Sequence, residues 1–185
     1  FRSRTLVRVT GGGLQGAELD LGYAKDTLGN LARIWGRPVH VQTVVETKDD
    51  INRVLDTCDV NFCLDTGHMA IGGQDPVAFA KEAMERVGHV HLKDVRLDMV
   101  PPVLRREVTL MAATQAGLFT PLGQGDVDIL GVVETLEAAG YRGWYVIEQD
   151  TAITDGLPPE GEGPINQVRT SMQYLADVVA PALAG

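Results

Sequence analysis

The amino-acid sequence predicts an α/β fold built from repeated strand–helix units around a parallel sheet. Short apolar runs alternate along the chain with segments whose apolar residues recur at helical spacing. Most of these runs do not alternate apolar with polar residues, which is typical of strands buried on both faces. Parallel strands joined by crossover helices follow from this order. Two architectures remain open on these grounds, a (β/α) barrel and an open doubly wound sheet.

Five apolar runs are predicted to be strands, because each is followed directly by a polar residue at its carboxyl end. The run that begins at Trp144 is expected to be buried among the other strands. In chain order the predicted strands span residues 5–9, 38–45, 60–64, 87–92 and 144–147.

Helices are predicted where apolar residues recur at helical spacing and where end signals are present. The clearest begins after the cap Asp75 with Pro76 in its first turn, and continues through Val77, Ala80 and Met84. The others span 28–35 before Gly36, 47–55 after a capping box of Thr47 and Asp50, 129–136 between Asp128 and Gly140, and 165–179. Residues 11–16 and 156–164 are predicted loops, and residues 98–120 are predicted to be irregular to helical.

The composition argues against several classes of protein. With 185 residues and a hydrophobic content of 44%, the chain is expected to form a single domain over residues 1–185. A formal net charge of −9 without a basic run argues against nucleic-acid binding. No apolar run reaches the roughly 18 residues of a membrane span, and no signal peptide is recognisable. Cys58 and Cys63 give no disulfide framework, so a cytoplasmic location is expected.

Three successive predicted strands bring ligand-type side chains to their carboxyl ends, namely Asp65, His91 and Glu148. In both open architectures, ligands bind beyond the carboxyl ends of the strands. Carboxylate and imidazole ligands together suit one divalent ion such as Mn, Co, Mg or Zn. Each residue also has a simpler interpretation. An aspartate at a strand end is often a helix cap, a histidine can point into the packing, as we expect for His89, and Glu148 can be solvated.

Four segments together resemble the sugar phosphate isomerase/epimerase superfamily of xylose isomerase-like TIM barrels, and within it the inosose dehydratases. The resemblance covers roughly residues 38–150 and implies a TIM (β/α)8 barrel, of which this chain supplies the C-terminal five or so strand–helix units. Family barrels run well beyond this length, so the domain is expected to be N-terminally incomplete. The segments are LDTGHMAIGGQDPVAFA, ERVGHVHLKDVR, FTPLGQGDVDI and GYRGWYVIEQD.

The resemblance implies that Asp65, His91 and Glu148 are metal ligands on the last three barrel strands. The family usually supplies a fourth ligand, Glu or His, at the position that Pro38 occupies here, and proline cannot coordinate a metal. His40 is one candidate to replace it. A partial barrel would also expose two sheet edges. The chain is therefore expected to be part of a longer protein or to be completed by another segment or copy, which leaves a homo-oligomer open.

The resemblance also implies roles around the metal. His68 and Arg96 would contact the substrate, and Lys93 would act as an acid or base. His40 matches a histidine of the dehydratase-like members and would act in proton transfer. The implied activity is that of a metal-dependent lyase, which abstracts a proton next to a ketone of a keto-sugar or keto-inositol and eliminates water. A ketose isomerase or epimerase, and a non-catalytic homologue that has lost a ligand, are the alternatives.

Overall fold

The computed structural model of the protein describes residues 5–9, 39–43, 48–57, 61–154 and 156–185. The predicted helix at 28–35, the predicted loop at 11–16, and Pro38 and Cys58 lie outside these ranges. Side chains in the first two ranges, including that of His40, also lie outside the described part.

A five-stranded parallel sheet forms the centre of the fold, as the strand–helix order predicts. Its strands are β1 (Thr5–Val9), β2 (Val39–Thr43), β3 (Asn61–Asp65), β4 (Val87–Leu92) and β7 (Tyr145–Ile147). They lie in the order β1-β2-β3-β4-β7, so neighbours in the sheet also follow one another in the chain, with an insertion between β4 and β7. Among the described residues β1 and β7 are the two edges of this sheet, and it does not close into a barrel.

The predicted helices that fall in the described ranges are present, together with four further short α-helices. A helix begins directly after β3, and the segment 98–120, predicted to be irregular to helical, contains two short helices and one strand of a two-stranded antiparallel sheet. The helices are α1 (Lys48–Thr57), α2 (Thr66–Ile71), α3 (Pro76–Glu82), α4 (Val100–Leu104), α5 (Leu110–Gln115), α6 (Ile129–Ala138), α7 (Pro164–Tyr174) and α8 (Ala180–Ala184), and the small sheet pairs β5 (Asp94–Val95) with β6 (Phe119–Thr120). A π-helical turn at Leu175–Val179 joins α7 to α8. No helix in the described ranges has the length and apolar character needed to cross a membrane.

Two of the predicted cap signals, Asp75 and Asp128, are used as predicted. Asp75 accepts a hydrogen bond from the backbone N–H of Val77 at the start of α3, and Pro76 occupies the first turn. Asp128 accepts from the N–H of Gly131 at the start of α6. These carboxylates satisfy N–H groups that have no partner within the helix, which fixes where each helix begins.

The two faces of the sheet differ in chemistry. Phe62, Leu64, Val90 and Leu92 point to one face, where they join the main core with residues of α3 and α6. The intervening positions carry Cys63, Asp65, His89 and His91. The sheet is therefore buried on both faces at β3 and β4, but only one face is apolar.

The prediction that residues 144–147 are buried is wrong, because two of them are exposed and Tyr145 and Ile147 are only partly buried. Trp144 is 66% exposed and Val146 is 37% exposed. The cause is position, because β7 is an edge strand that pairs only with β4 in the described part of the chain.

Candidate metal centre

Asp65 ends β3 and is 2% exposed. Its Oδ1 accepts a hydrogen bond of 2.9 Å from the N–H of His68 and so caps α2. Its Oδ2 faces the other way, 3.7 Å from Nδ1 of His91 and 3.6 Å from Nζ of Lys93. The helix-cap interpretation of this aspartate is therefore confirmed, and its second oxygen is left facing His91 and Lys93, while its role as a metal ligand stays a prediction.

His91 lies opposite Asp65 in the register between β3 and β4, which places both residues at the same level of the sheet. Its Nδ1 also contacts Oε2 of Glu148. Burial alone would lower the pKa of His91, but hydrogen bonds with Asp65, Cys63 and Glu148 outweigh burial and raise the pKa to about 11. The imidazole is therefore held between two carboxylates.

Glu148 follows β7, and its backbone N–H donates to the carbonyl of Leu92, which extends the pairing with β4 by one residue. The side chain is 22% exposed. Burial opposes ionisation, yet the hydrogen bond with His91 and the charge of Lys93 hold the pKa of Glu148 at about 2. The same neighbours, together with His68, hold the pKa of Asp65 well below its usual range.

Lys93 lies at the centre of the cluster and is fully buried. Its Nζ donates to Oε1 of Glu148 at 2.8 Å and to Oδ2 of Asp150 at 3.1 Å, and lies 3.2 Å from Nε2 of His68. Burial would lower the pKa of this ammonium, but the charges of Asp65, Glu148 and Asp150 raise it. The ring of Phe119, 5.2 Å away, closes one side of the ammonium.

The start of α2 is shaped to accept this lysine. The Thr66 hydroxyl donates to the carbonyl of Lys93 at 2.7 Å and accepts from its N–H at 2.9 Å. A Cβ on Gly67 would lie 2.6 Å from Cγ of Lys93, so the helix approaches the lysine stem at a distance that only glycine allows. Four consecutive residues, DTGH, therefore supply a carboxylate, a hydroxyl that binds the backbone of Lys93, a glycine that leaves space for the lysine stem, and an imidazole.

His68 is also part of the cluster. It is 7% exposed, and its Nε2 lies 4.0 Å from Oδ2 of Asp65. Its ring packs edge-on against Phe119 at 6.3 Å between centroids. The imidazole therefore lines the same polar pocket as the lysine and the two carboxylates.

Two other residues predicted for the site are not part of this cluster as described. Arg96 lies elsewhere, and the side chain of His40 is outside the described part of the chain. Arg96 is exposed, and its guanidinium donates to the carbonyls of Ala116 and Gly117 beyond α5, so the structure does not bring it to the cluster. The chain enters β5 after Lys93, and this turns Arg96 away. The backbone of His40 lies in β2 opposite Asn61, at the opposite end of β3 from Asp65.

Sequence analysis missed two residues that shape the site. Asp150 follows Glu148 by two residues, and this spacing at a strand end could have indicated it. Asp94 is 1% exposed and accepts hydrogen bonds from the backbone N–H groups of Val95, Gly123, Gly125 and Val127. It thereby fixes the segment 121–127, and no local pattern in the sequence predicts that long-range contact.

The residues present fit a divalent metal ion. Asp65, His68 and Glu148 each offer a ligand atom, and these atoms all lie within 4.8 Å of one another. The Nδ1 of His91 contacts the carboxylates of this group. The carboxylates and imidazoles that lie together form a mixed oxygen and nitrogen donor set, which suits Mn, Co, Mg or Zn.

Comparison with known proteins gives matches to one fold family. A family model described as xylose isomerase-like TIM barrel matches residues 30–178. The chain is 37% identical over 159 residues to an inosose dehydratase of Geobacillus thermodenitrificans, covering 81% of this chain and 51% of that protein. It is 34% identical over 145 residues to the rhizopine catabolism protein MocC of Rhizobium meliloti, covering 77% of this chain and 43% of that protein. The chain thus spans about half the length of the curated relatives it matches.

Solved structures show the same fold at low sequence identity. A xylose isomerase domain protein from Planctomyces limnophilus matches with a TM-score of 0.60 and 20% identity, covering 97% of this chain and 58% of that one. The IOLI protein, whose structure is described with a binding zinc atom, matches with a TM-score of 0.62 and 16% identity, covering 95% and 63%.

Proposed function

The chain belongs to the family of xylose isomerase-like TIM barrels, and we propose that it forms the metal-binding part of an inosose dehydratase-like lyase. The substrate class is a keto-inositol or a related keto-sugar, and the reaction is elimination of water. The curated relatives named inosose dehydratase, at 30–37% identity, support this choice. The observation that carries it is the meeting of Asp65, His91 and Glu148 around the ammonium of Lys93 at the carboxyl ends of three neighbouring strands.

Asp65, His91 and Glu148 are the proposed ligands of one divalent ion, with His68 beside them. Such an ion, when bound, polarises a ketone and makes the adjacent C–H more acidic. The ligands would come from β3, β4 and β7, so the rigid sheet sets their relative positions. The zinc atom bound by the IOLI protein supports a metal in this fold, and Mn, Co, Mg and Zn all suit the donor set here.

Lys93 is the proposed general acid. Elimination needs a proton on the departing β-hydroxyl, and a buried ammonium can donate one. The charges of Asp65, Glu148 and Asp150 favour the protonated form, so Lys93 carries a proton to deliver, and an ion bound by Asp65 and Glu148 would lower its pKa toward the range that suits an acid. Glu148 and Asp150 hold the ammonium from two sides, and the ring of Phe119 covers a third, so its direction is restricted.

His40 is the proposed partner in proton abstraction. Its backbone lies four residues before the level of Asp65, which corresponds to roughly 13 Å along a strand. A role in proton transfer therefore requires the substrate to reach toward that end of β2. His40→Asn is expected to lower turnover by about 10²-fold while metal content is unchanged. Unchanged turnover would leave His40 with a structural role.

The reaction class is tested by incubating the metal-loaded protein with a keto-inositol and following ultraviolet absorbance. Elimination of one water gives a conjugated hydroxy-enone, the enol of a 1,2-diketone, so absorbance should increase with time. An epimer formed without absorbance change would favour an isomerase or epimerase. No turnover by a protein that binds its metal would favour a non-catalytic homologue.

A further inference from the structure

A second group of donor atoms lies on the polar face of the sheet, outside the proposed carboxylate site except for one shared residue. Cys63, His89 and His91 each offer a ligand atom, and these atoms all lie within 4.8 Å of one another. Cys63 lies opposite His89 in the register between β3 and β4, two residues before the pair of Asp65 and His91. Two residues along a strand correspond to roughly 6.5 Å, so this group lies one layer deeper in the molecule.

The chemistry of this group differs from that of the carboxylate site. Thiolate and imidazole ligands favour Zn²⁺ and softer ions, whereas the two carboxylates beside His91 also suit Mg²⁺ and Mn²⁺. Cys63 is 1% exposed and His89 is half-buried, so most water is excluded from the thiol. The rings of His89 and His91 lie 5.2 Å apart at 75°, which places both imidazoles beside the sulfur without stacking them.

We propose that Cys63, His89 and His91 form a second site, specific for a thiophilic divalent ion such as Zn²⁺ or Cd²⁺. Binding replaces the S–H bond of Cys63 by a metal–sulfur bond and requires His91 in its neutral form, so the thiol proton and the imidazolium proton of His91 both leave to solvent. A neutral imidazole has one nitrogen lone pair, so His91 serves one ion at a time. While an ion is bound to Cys63, His91 therefore cannot serve as a ligand in the carboxylate site. This consequence rests on the proposed function, whereas binding at Cys63 does not.

The test is titration of the purified protein with Cd²⁺, followed by the ultraviolet charge-transfer band of a cadmium–thiolate bond. The band should saturate in the wild type, persist in Cys58→Ser and disappear in Cys63→Ser. His89→Asn should lower the affinity for Cd²⁺ by at least about tenfold, because even residues that only hydrogen-bond to a metal ligand change metal affinity by that factor. Glu148→Gln should keep the band, because it removes none of the three donors Cys63, His89 and His91, and this separates the proposal from the proposed function.

Absence of the band in the wild type would overturn the proposal, as would its survival in Cys63→Ser or unchanged Cd²⁺ affinity in His89→Asn. Far-ultraviolet circular dichroism of each variant checks folding. Because His89→Asn leaves the buried sulfur in place, it tests the site even where Cys63→Ser unfolds the protein.

Discussion

Nζ of Lys93 lies 2.8 Å from Oε1 of Glu148, which joins a fully buried ammonium on the chain after β4 to a carboxylate at the end of β7. The ammonium also donates to Asp150, so two carboxylates from the segment that follows β7 restrict its direction. Removing the charge of Lys93 while keeping its volume is therefore the sharpest change to the proposed acid.

We expect Lys93→Met to lower turnover by about 10²-fold or more, because the acid is lost while the stem still packs. Steady-state kinetics and metal analysis check this. Lys81→Met, on the exposed surface of α3, is the matched control and should leave turnover unchanged. Wild-type turnover in Lys93→Met would remove this lysine from the chemistry.

Gly67→Ala should displace the lysine without touching its charge. The new Cβ would lie 2.6 Å from Cγ and 2.8 Å from Cδ of Lys93, and the stem is fully buried. We expect a loss of about 1–3 kcal/mol in the free energy of unfolding, as for other overpacked sites, together with lower turnover. Combining Gly67→Ala with Lys93→Ala should cost less than the sum of the two single changes, since the shorter side chain removes the contacts at Cγ and Cδ. Additive losses in urea unfolding would contradict this contact.

Asp94→Asn should loosen the segment 121–127. The carboxylate accepts hydrogen bonds from four backbone N–H groups, two at each oxygen. In the asparagine variant an amide nitrogen replaces one oxygen, so two of these N–H groups lose their acceptor. We expect a loss of about 1–3 kcal/mol per unsatisfied donor and faster hydrogen exchange at Gly123 and Gly125. Asp98→Asn, at an exposed aspartate, is the control. Equal exchange rates in both variants would argue against this role.

The pair of His91 and Glu148 predicts how stability changes with pH in the presence of a chelator. Glu148 has its pKa lowered from 4.5 to about 2, so its contribution is present above pH 4.5 and is lost as the pH falls toward 2. His91 has its pKa raised from 6.5 to about 11, so its contribution is present below pH 6.5 and is lost as the pH rises toward 11. In urea unfolding, the pair should therefore contribute most to the free energy of unfolding between pH 4.5 and pH 6.5. Glu148→Gln should reduce the loss of stability on both the acid and the alkaline side. An identical pH profile in the variant would disprove the coupling.

The sequence predicted which residues lie at the strand ends of the site better than it predicted how side chains pack around them. Asp65, His91 and Glu148 come together because strand ends are visible in the sequence and parallel strands share an edge. Arg96 could not be placed by the same rule, because its direction depends on β5 pairing with β6, a contact across roughly 25 residues. The central position of Lys93 depends on Asp150 and Gly67, whose approach is set by packing of α2 and the segment after β7 and not by local periodicity.

The most direct test of the metal assignment is calorimetric titration of wild type and Glu148→Gln with Mn²⁺ or Zn²⁺ near neutral pH. Glutamine keeps the volume and removes the charge, so the variant should bind metal at least about tenfold more weakly while its circular dichroism is unchanged. Glu134→Gln, at an exposed glutamate on α6, should bind as the wild type does. Equal affinity in Glu148→Gln and the wild type would contradict the assignment of Glu148 as a ligand and, with it, the proposed centre.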